Sequence, residues 1–172
     1  DIVVDIGAYV GEYSLFAINK GVKQVISYEP TPETFKVLKK NKKENMIIVN
    51  KAVVGNDVNY VNLFISKGIG VTNSIVKSIR KNKIIKVPAI RYEKAVKNAT
   101  VVKIDVEGAE YSFNIIQPHL RGIIIEFHPL SGEPWKKYVQ KIMNNLENNG
   151  YKCIYKPTFK SGWNLTGCWE KR

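Results

Sequence analysis

Short apolar runs recur along this chain, separated by stretches in which apolar residues return every three or four positions. Ile2-Val3-Val4-Asp5-Ile6 opens the series. Gln24 to Tyr28, Met46 to Val49, Val101 to Ile104 and Gly122 to Phe127 repeat it. Runs this short, rich in Val and Ile, predict buried strands of a parallel sheet. Between the first two runs Leu15, Phe16 and Ile18 mark the inner side of a helix. A second helix starts at Thr31 or Pro32, with Phe35, Val37 and Leu38 inward and Lys36, Lys39, Lys40, Lys42 and Lys43 outward. A third is expected from Gly108 to about Pro118. A fourth follows Pro134-Trp135 to Asn149, with Val139, Ile142, Met143 and Leu146 as its inner stripe and Gly150 as its stop. Strands alternating with helices predict a doubly wound α/β fold with a mostly parallel sheet.

The alternation breaks twice. Between the third and fourth core strands the pattern turns to period two, with Tyr60 to Ile65 and Ile84 to Ile90 reading as an antiparallel pair. Pro88 favours an edge position for the second of these, because it cannot donate to a ladder. At the end of the chain Tyr151 to Lys156 and Asn164 to Glu170 read as a hairpin around Lys160-Ser161-Gly162. A turn symmetric about residues 160 and 161 sets Cys153 opposite Cys168, within reach of a disulfide.

Candidate chemistry gathers where the apolar runs stop. The first ends in Asp5-Ile6-Gly7-Ala8-Tyr9-Val10-Gly11 and opens into a helix, the arrangement by which doubly wound proteins hold a nucleotide-like ligand. A dinucleotide fingerprint requires glycine at positions 9 and 12, which are Tyr9 and Glu12 here, and Glu12 puts an acid where a pyrophosphate would sit. Gly7 and Gly11 let the backbone turn tightly and approach a ligand. Glu29, at the tip of the second strand, is placed to accept hydrogen bonds from both hydroxyls of a ribose. The fourth strand carries Lys103, Asp105 and Glu107 on one side if it runs that far, and charges in a buried strand need a use or a partner. The fifth ends in Glu126-Phe127-His128.

Composition narrows the class. At 172 residues the chain has the size of one domain, read as 1–172, and 44% apolar content suits a globular core. It begins inside a core strand without Met, which suggests a truncated N-terminus. No run approaches a membrane span and no secretory leader precedes the first strand, so a cytoplasmic protein is expected. The net charge is +12, from 23 Lys and 4 Arg against 15 acids. Arg is the residue suited to bidentate phosphate recognition, so a Lys excess reads first as a solvated surface. Its densest part is Lys77 to Lys97, with eight basic residues against Glu93. The two cysteines and two histidines lack zinc spacing.

Four stretches taken together resemble the FkbM-type family of S-adenosylmethionine (SAM)-dependent methyltransferases. They are D-I-G-A-Y-V-G-E-Y-S-L, Y-E-P-T-P-E-T-F-K-V-L-K-K-N, K-I-D-V-E-G-A-E and I-I-I-E-F-H, in order from residue 1 to about 128. The resemblance implies a class I methyltransferase sheet with SAM as methyl donor, acting most often on a hydroxyl or carboxyl oxygen of a small molecule or glycan. It further implies that Asp5, Gly7, Ala8 and Gly11 surround the methionine part of SAM and that Glu29 binds the ribose. Asp105 and Glu107 then lie at the edge of the methyl-transfer site, Glu107 within the cofactor-binding set. The family usually has Asn where this chain has Tyr9.

Deprotonating a hydroxyl acceptor needs a base, for which Asp105, Glu126 and His128 are the candidates. The inserted segment leaves the core between strands whose tips flank the site, so Thr72, Asn73 and Ser74 are the expected acceptor-binding residues. No metal site is expected, the alternative being Mg²⁺ held between Asp105 and Glu126. Two other functions compete: a nucleic-acid methyltransferase using residues 77–97, and a SAM-binding module without catalysis.

Overall fold

The computed structural model describes residues 1–66, 73–75, 81–130, 134–157 and 165–171. Their main feature is a seven-stranded sheet made of β1 (Ile2–Ile6), β2 (Gln24–Tyr28), β3 (Met46–Val49), β7 (Val101–Ile104), β8 (Gly122–Phe127), β9 (Lys152–Tyr155) and β10 (Leu165–Glu170). Across the sheet the order is β3-β2-β1-β7-β8-β10-β9. The first five strands run parallel, while β10 is antiparallel to both β8 and β9. β1 therefore pairs with β2 on one side and with β7 on the other, and the winding reverses there. Such a reversal opens a crevice above the carboxyl ends of the strands.

Period-two alternation divides the core. Val3 and Val25 face α1 (Glu12–Asn19) and α2 (Pro32–Asn41), in a cluster with Ala17, Leu38 and Met46. Val4, Ile6, Val102, Ile104, Ile123 and Ile125 face the other way, into the larger cluster closed by Val139, Met143 and Leu146 of α4 (Trp135–Asn148). The expected inner stripe of α4 is thus present, with Ile142 packed at its margin.

In each of two helices one residue expected to face inward turns outward. Phe16 is 56% exposed, while Ser14 and Ala17 are the buried residues of α1 and Leu15 and Ile18 pack beside them as expected. Ser14 Oγ donates to Asp5 Oδ2 at 2.6 Å and lies 2.8 Å from Ser27 Oγ, so the helix must present a small polar residue to the sheet. In α2 the centre of the face is Leu38, and Val37 points outward. The helix expected from Gly108 to Pro118 is a single 3₁₀ turn, Ala109–Ser112. Its acid, Glu110, is fully buried and accepts the Gly108 and His128 backbone N–H groups.

The insertion is antiparallel as expected, β5 (Tyr60–Ser66) against β6 (Lys81–Arg91), and it has an additional strand, β4 (Ala52–Val54), parallel to β6. β6 is consequently the central strand of the order β4-β6-β5, which corrects the edge placement of Pro88. The Ala89 N–H donates to the Asn59 carbonyl across to β5, so the nitrogen of Pro88 points to the opposite edge. There the ladder with β4 begins only at Ala89, and no donor is required. A short α3 (Tyr92–Ala95) returns the chain to β7.

The closing hairpin has a different register from the one expected. Cys153 faces Trp169 and Cys168 faces Tyr155, with a bulge between Cys168 and Trp169. Both cysteines are free thiols. The turn at residues 160–162 lies outside the described residues. No described helix is long and apolar enough to cross a membrane.

Candidate active site

A cavity of about 740 Å³ lies above the carboxyl ends of β1, β2, β7 and β8, roofed by residues of β5 and β6 and by Asn73 to Ile75. Gly7, Ala8, Glu29, Asp105, Glu107, Glu126, Asn73 and Ser74 line it. Among the predicted site residues, Asp5, Gly11 and His128 are not part of its wall, and Thr72 lies outside the described residues.

At one end the turn after β1 crosses the tip of β2. Gly7 has φ 79°, and a Cβ there would stand 1.8 Å from the Asp105 carbonyl oxygen. The glycine is therefore required by contact with the protein's own backbone, where β1 and β7 converge. Gly11 behaves similarly, its added Cβ meeting Leu38 Cδ1 at 2.8 Å. Tyr9 adopts φ 51°, the left-handed region that Asn enters more readily than a bulky residue. This geometry directs the Tyr9 N–H to Glu29 Oε2 at 3.0 Å, while the Thr31 N–H reaches Glu29 Oε1 at 2.8 Å. Asn50 Nδ2 donates to the Glu29 carbonyl at 2.7 Å and holds the strand tip. Each Glu29 carboxylate oxygen retains accepting capacity toward the cavity. Burial pushes its pKa above the usual glutamate range, against the opposing pull of the Thr31 and Tyr9 hydrogen bonds.

Asp5 lies under this turn, fully buried. Ser14 donates to one of its oxygens and Lys103 Nζ stands 3.5 Å from the other. Lys103 Nζ also donates to the Gly7 carbonyl at 3.1 Å and to Asp105 Oδ2 at 3.0 Å. Burial pushes the Asp5 carboxyl up, partly offset by Lys103 and Ser14. For Lys103, burial disfavours the ammonium, but Asp5 and Asp105 outweigh it and its pKa lies above the ordinary value. Lys103 thus ties the floor of the turn to the acid at the tip of β7.

The other end is a carboxylate cluster around His128. Its Nε2 lies 3.5 Å from Asp105 Oδ1, 3.7 Å from Glu107 Oε1 and 4.0 Å from Glu126 Oε1. Its Nδ1 lies 3.3 Å from Glu110 Oε1, which also accepts the His128 backbone N–H at 2.7 Å. Tyr111 Oη donates to the His128 carbonyl at 2.9 Å. Burial opposes the imidazolium, yet the Glu110 hydrogen bond and the charges of Glu110, Glu107 and Asp105 leave its pKa raised. Although β7 stops at Ile104, Asp105 and Glu107 still reach one cluster, since Glu107 turns back with φ 55°. Ser74 Oγ fastens that turn by donating to the Glu107 carbonyl at 2.7 Å, and Asn73 Nδ2 donates to Thr31 Oγ1 at 3.3 Å.

Glu110 and Ser14, which hold His128 and Asp5, are the buried polar partners that sequence patterning missed. Neither breaks a periodicity, and only their burial against Asp5 or His128 reveals them. Within the basic stretch, Arg91 pairs with Glu93, Lys94 pairs with Asp57, and Lys86 Nζ lies 5.0 Å from the centroid of the Tyr60 ring. Lys77 and Arg80 lie outside the described residues.

A family model described as Methyltransferase FkbM domain matches residues 5–153. No curated protein sequence matches the chain. Among solved structures, methyltransferase FkbM from Methylobacillus flagellatus KT superposes with a TM-score of 0.63 at 14% identity, covering 98% of this chain and 43% of that one. This chain therefore spans less than half of that protein's length. TrmK from M. capricolum, in complex with its cofactor product S-adenosyl-homocysteine, gives a TM-score of 0.56 at 9% identity over 99% of this chain and 62% of the other. Precorrin-6y C5,15-methyltransferase from Geobacter metallireducens GS-15 gives 0.51 at 13% identity, with coverages of 99% and 80%. At these identities the likeness is one of fold.

Proposed function

This chain belongs to the FkbM methyltransferase domain family, and we propose that it transfers a methyl group from SAM to an oxygen of a small molecule or glycan. The observation that carries the reading is the division of the cavity into two ends. Glu29 stands at one, held by two backbone N–H groups with lone pairs to spare, and the carboxylates of Asp105 and Glu126 stand at the other. The residues suit the donor: Gly7, Ala8 and Tyr9 line the cavity beside Glu29, whose oxygens are suited to two ribose hydroxyls. SAM supplies an electrophilic methyl, whose bond to sulfur breaks as the bond to the acceptor oxygen forms, the sulfur keeping the electron pair.

The protein's own residues then have three tasks. The turn from Gly7 to Tyr9 and the Glu29 carboxylate orient the donor. Ile65, Ile75 and Ile85 of the roof exclude water from the path of transfer. Asp105 and Glu126, whose side chains line the far wall, receive the proton that a hydroxyl acceptor must release. Asn73 and Ser74, joined to the donor and acceptor ends by their hydrogen bonds, complete the acceptor pocket.

Calorimetric titration tests the donor assignment. SAM and S-adenosyl-homocysteine bind with NAD showing no heat, and Glu29→Ala weakens SAM by about 1 to 3 kcal/mol, the range for lost hydrogen bonds to a charged group. Binding of NAD in place of SAM would overturn the assignment.

A further inference from the structure

We propose that Asp105, Glu107 and His128 form a binding site for a divalent transition-metal ion at the acceptor end of the cavity, contrary to the expectation of no metal read from sequence spacing. Among the described residues these three bring one ligand atom each within 4.8 Å of one another. An acidic cluster alone is common on protein surfaces. The distinguishing feature here is His128, which is 4% exposed, with an Nε2 that has no hydrogen-bond partner and faces the acids.

The separations around Nε2 are longer than hydrogen bonds. An imidazolium N–H would draw a carboxylate to about 2.7–3.2 Å. The Nε2 distances to Asp105, Glu107 and Glu126 are 3.5, 3.7 and 4.0 Å, too long for hydrogen bonds. Ligand atoms each about 2.1 Å from one ion stand about 3.0 to 4.2 Å apart, the cis and trans spacings of an octahedron. For the two proposed acids, Asp105 and Glu107, the Nε2 distances of 3.5 and 3.7 Å lie between those two spacings, so small shifts of the side chains bring them onto one ion.

The surroundings of His128 suit a ligand histidine. Glu110 is fully buried and accepts the backbone N–H groups of Gly108 and His128. When the neutral ring gives its Nδ1 hydrogen to Glu110, the Nε2 lone pair is directed at the cluster. A carboxylate behind a metal-binding imidazole is the usual device for fixing its tautomer. One imidazole with carboxylates favours Mn²⁺ or a neighbouring transition ion over Mg²⁺, which prefers oxygen alone. The role of the ion rests on the methyl-transfer reading. An acceptor hydroxyl drawn to it loses its proton more readily, and Glu126, facing the same cavity, accepts that proton.

The test is titration of the full chain with MnCl₂ by calorimetry, after removal of trace metal, with pulsed electron paramagnetic resonance of the loaded protein. One Mn²⁺ per chain is expected, with a nitrogen coupling from imidazole that disappears in His128→Gln. Mg²⁺ should bind at least about tenfold more weakly. Glu107→Gln, on a partly exposed side chain, should keep the fold by circular dichroism and weaken Mn²⁺ at least about tenfold. Absence of saturable Mn²⁺ binding would overturn the site, as would unchanged Mn²⁺ affinity in Glu107→Gln. So would a nitrogen coupling that persists in folded His128→Gln. SAM titrated in the presence of a chelator reads the donor assignment separately, so the two can fail independently.

Discussion

Gly7 shows how little latitude single residues have at this site. Its φ of 79° disfavours any side chain, and the Asp105 carbonyl occupies the place of its Cβ. Gly7→Ala should cost about 3 kcal/mol or more in denaturant unfolding, combining backbone strain with a clash that backbone must relieve. Gly11→Ala is strained too, but it meets the end of the Leu38 side chain, which can shift, so a smaller loss of about 1–2 kcal/mol is expected. Equal losses would contradict this account of the convergence of β1 and β7. Glu29 makes a second residue-scale prediction. Its charged form accepts hydrogen bonds, and burial raises its pKa, so protonation begins at a higher pH than for an exposed glutamate. SAM affinity should be level near pH 8 and fall as the medium is acidified through that raised value. In Glu29→Gln the affinity should be lower and lose this part of its pH dependence.

Among the elements, α1 and the closing hairpin show why local pattern misleads. Apolar spacing favours Phe16 as an inward residue, but Ser14 must reach Asp5 and Ser27, and that demand sets the rotation of the helix. In the hairpin a bulge beside Trp169 shifts the pairing by one residue and separates the two cysteines into different pairs. Burial raises both thiols above the ordinary cysteine value, for Cys168 with further contributions from Cys153 and Glu170. Alkylation by iodoacetamide should therefore be slow at pH 7 and accelerate only in clearly alkaline buffer. The unfolding midpoint should be the same with and without dithiothreitol. A midpoint that falls on reduction would reveal a bond the observed register excludes.

For the whole molecule, the reversal of winding between β1 and β7 makes the cavity and brings the tips of β2, β7 and β8 to it. The insertion then roofs this same end, so the walls of the cavity come from segments far apart in the chain. The net charge of +12 acts at this scale as well. In the basic stretch Arg91 and Lys94 are already paired with acids. Binding to bulk single-stranded RNA should then be weak and vanish as salt rises past about 150 mM, as non-specific charge attraction does. Micromolar binding that persists at higher salt would favour a nucleic-acid acceptor instead.

The five core strands, the Gly7 turn, Glu29 and the acids at the tips of β7 and β8 were all legible in the chain, and so was the family. Each is a local feature: an apolar run, a glycine where the run stops, or a charge within a buried segment. What folding in three dimensions decided was which distant groups meet. The central position of β6 depends on β4, a three-residue strand too short to show a period. Burial of Glu110 beneath His128 joins residues 18 apart in sequence, and the enclosure of Nε2 by acids from two strand ends follows from how β7 and β8 align. Periodicity records which face of an element is apolar. It carries no measure of the distance between a carboxylate on one strand and an imidazole on the next, and that distance governs the chemistry of this site.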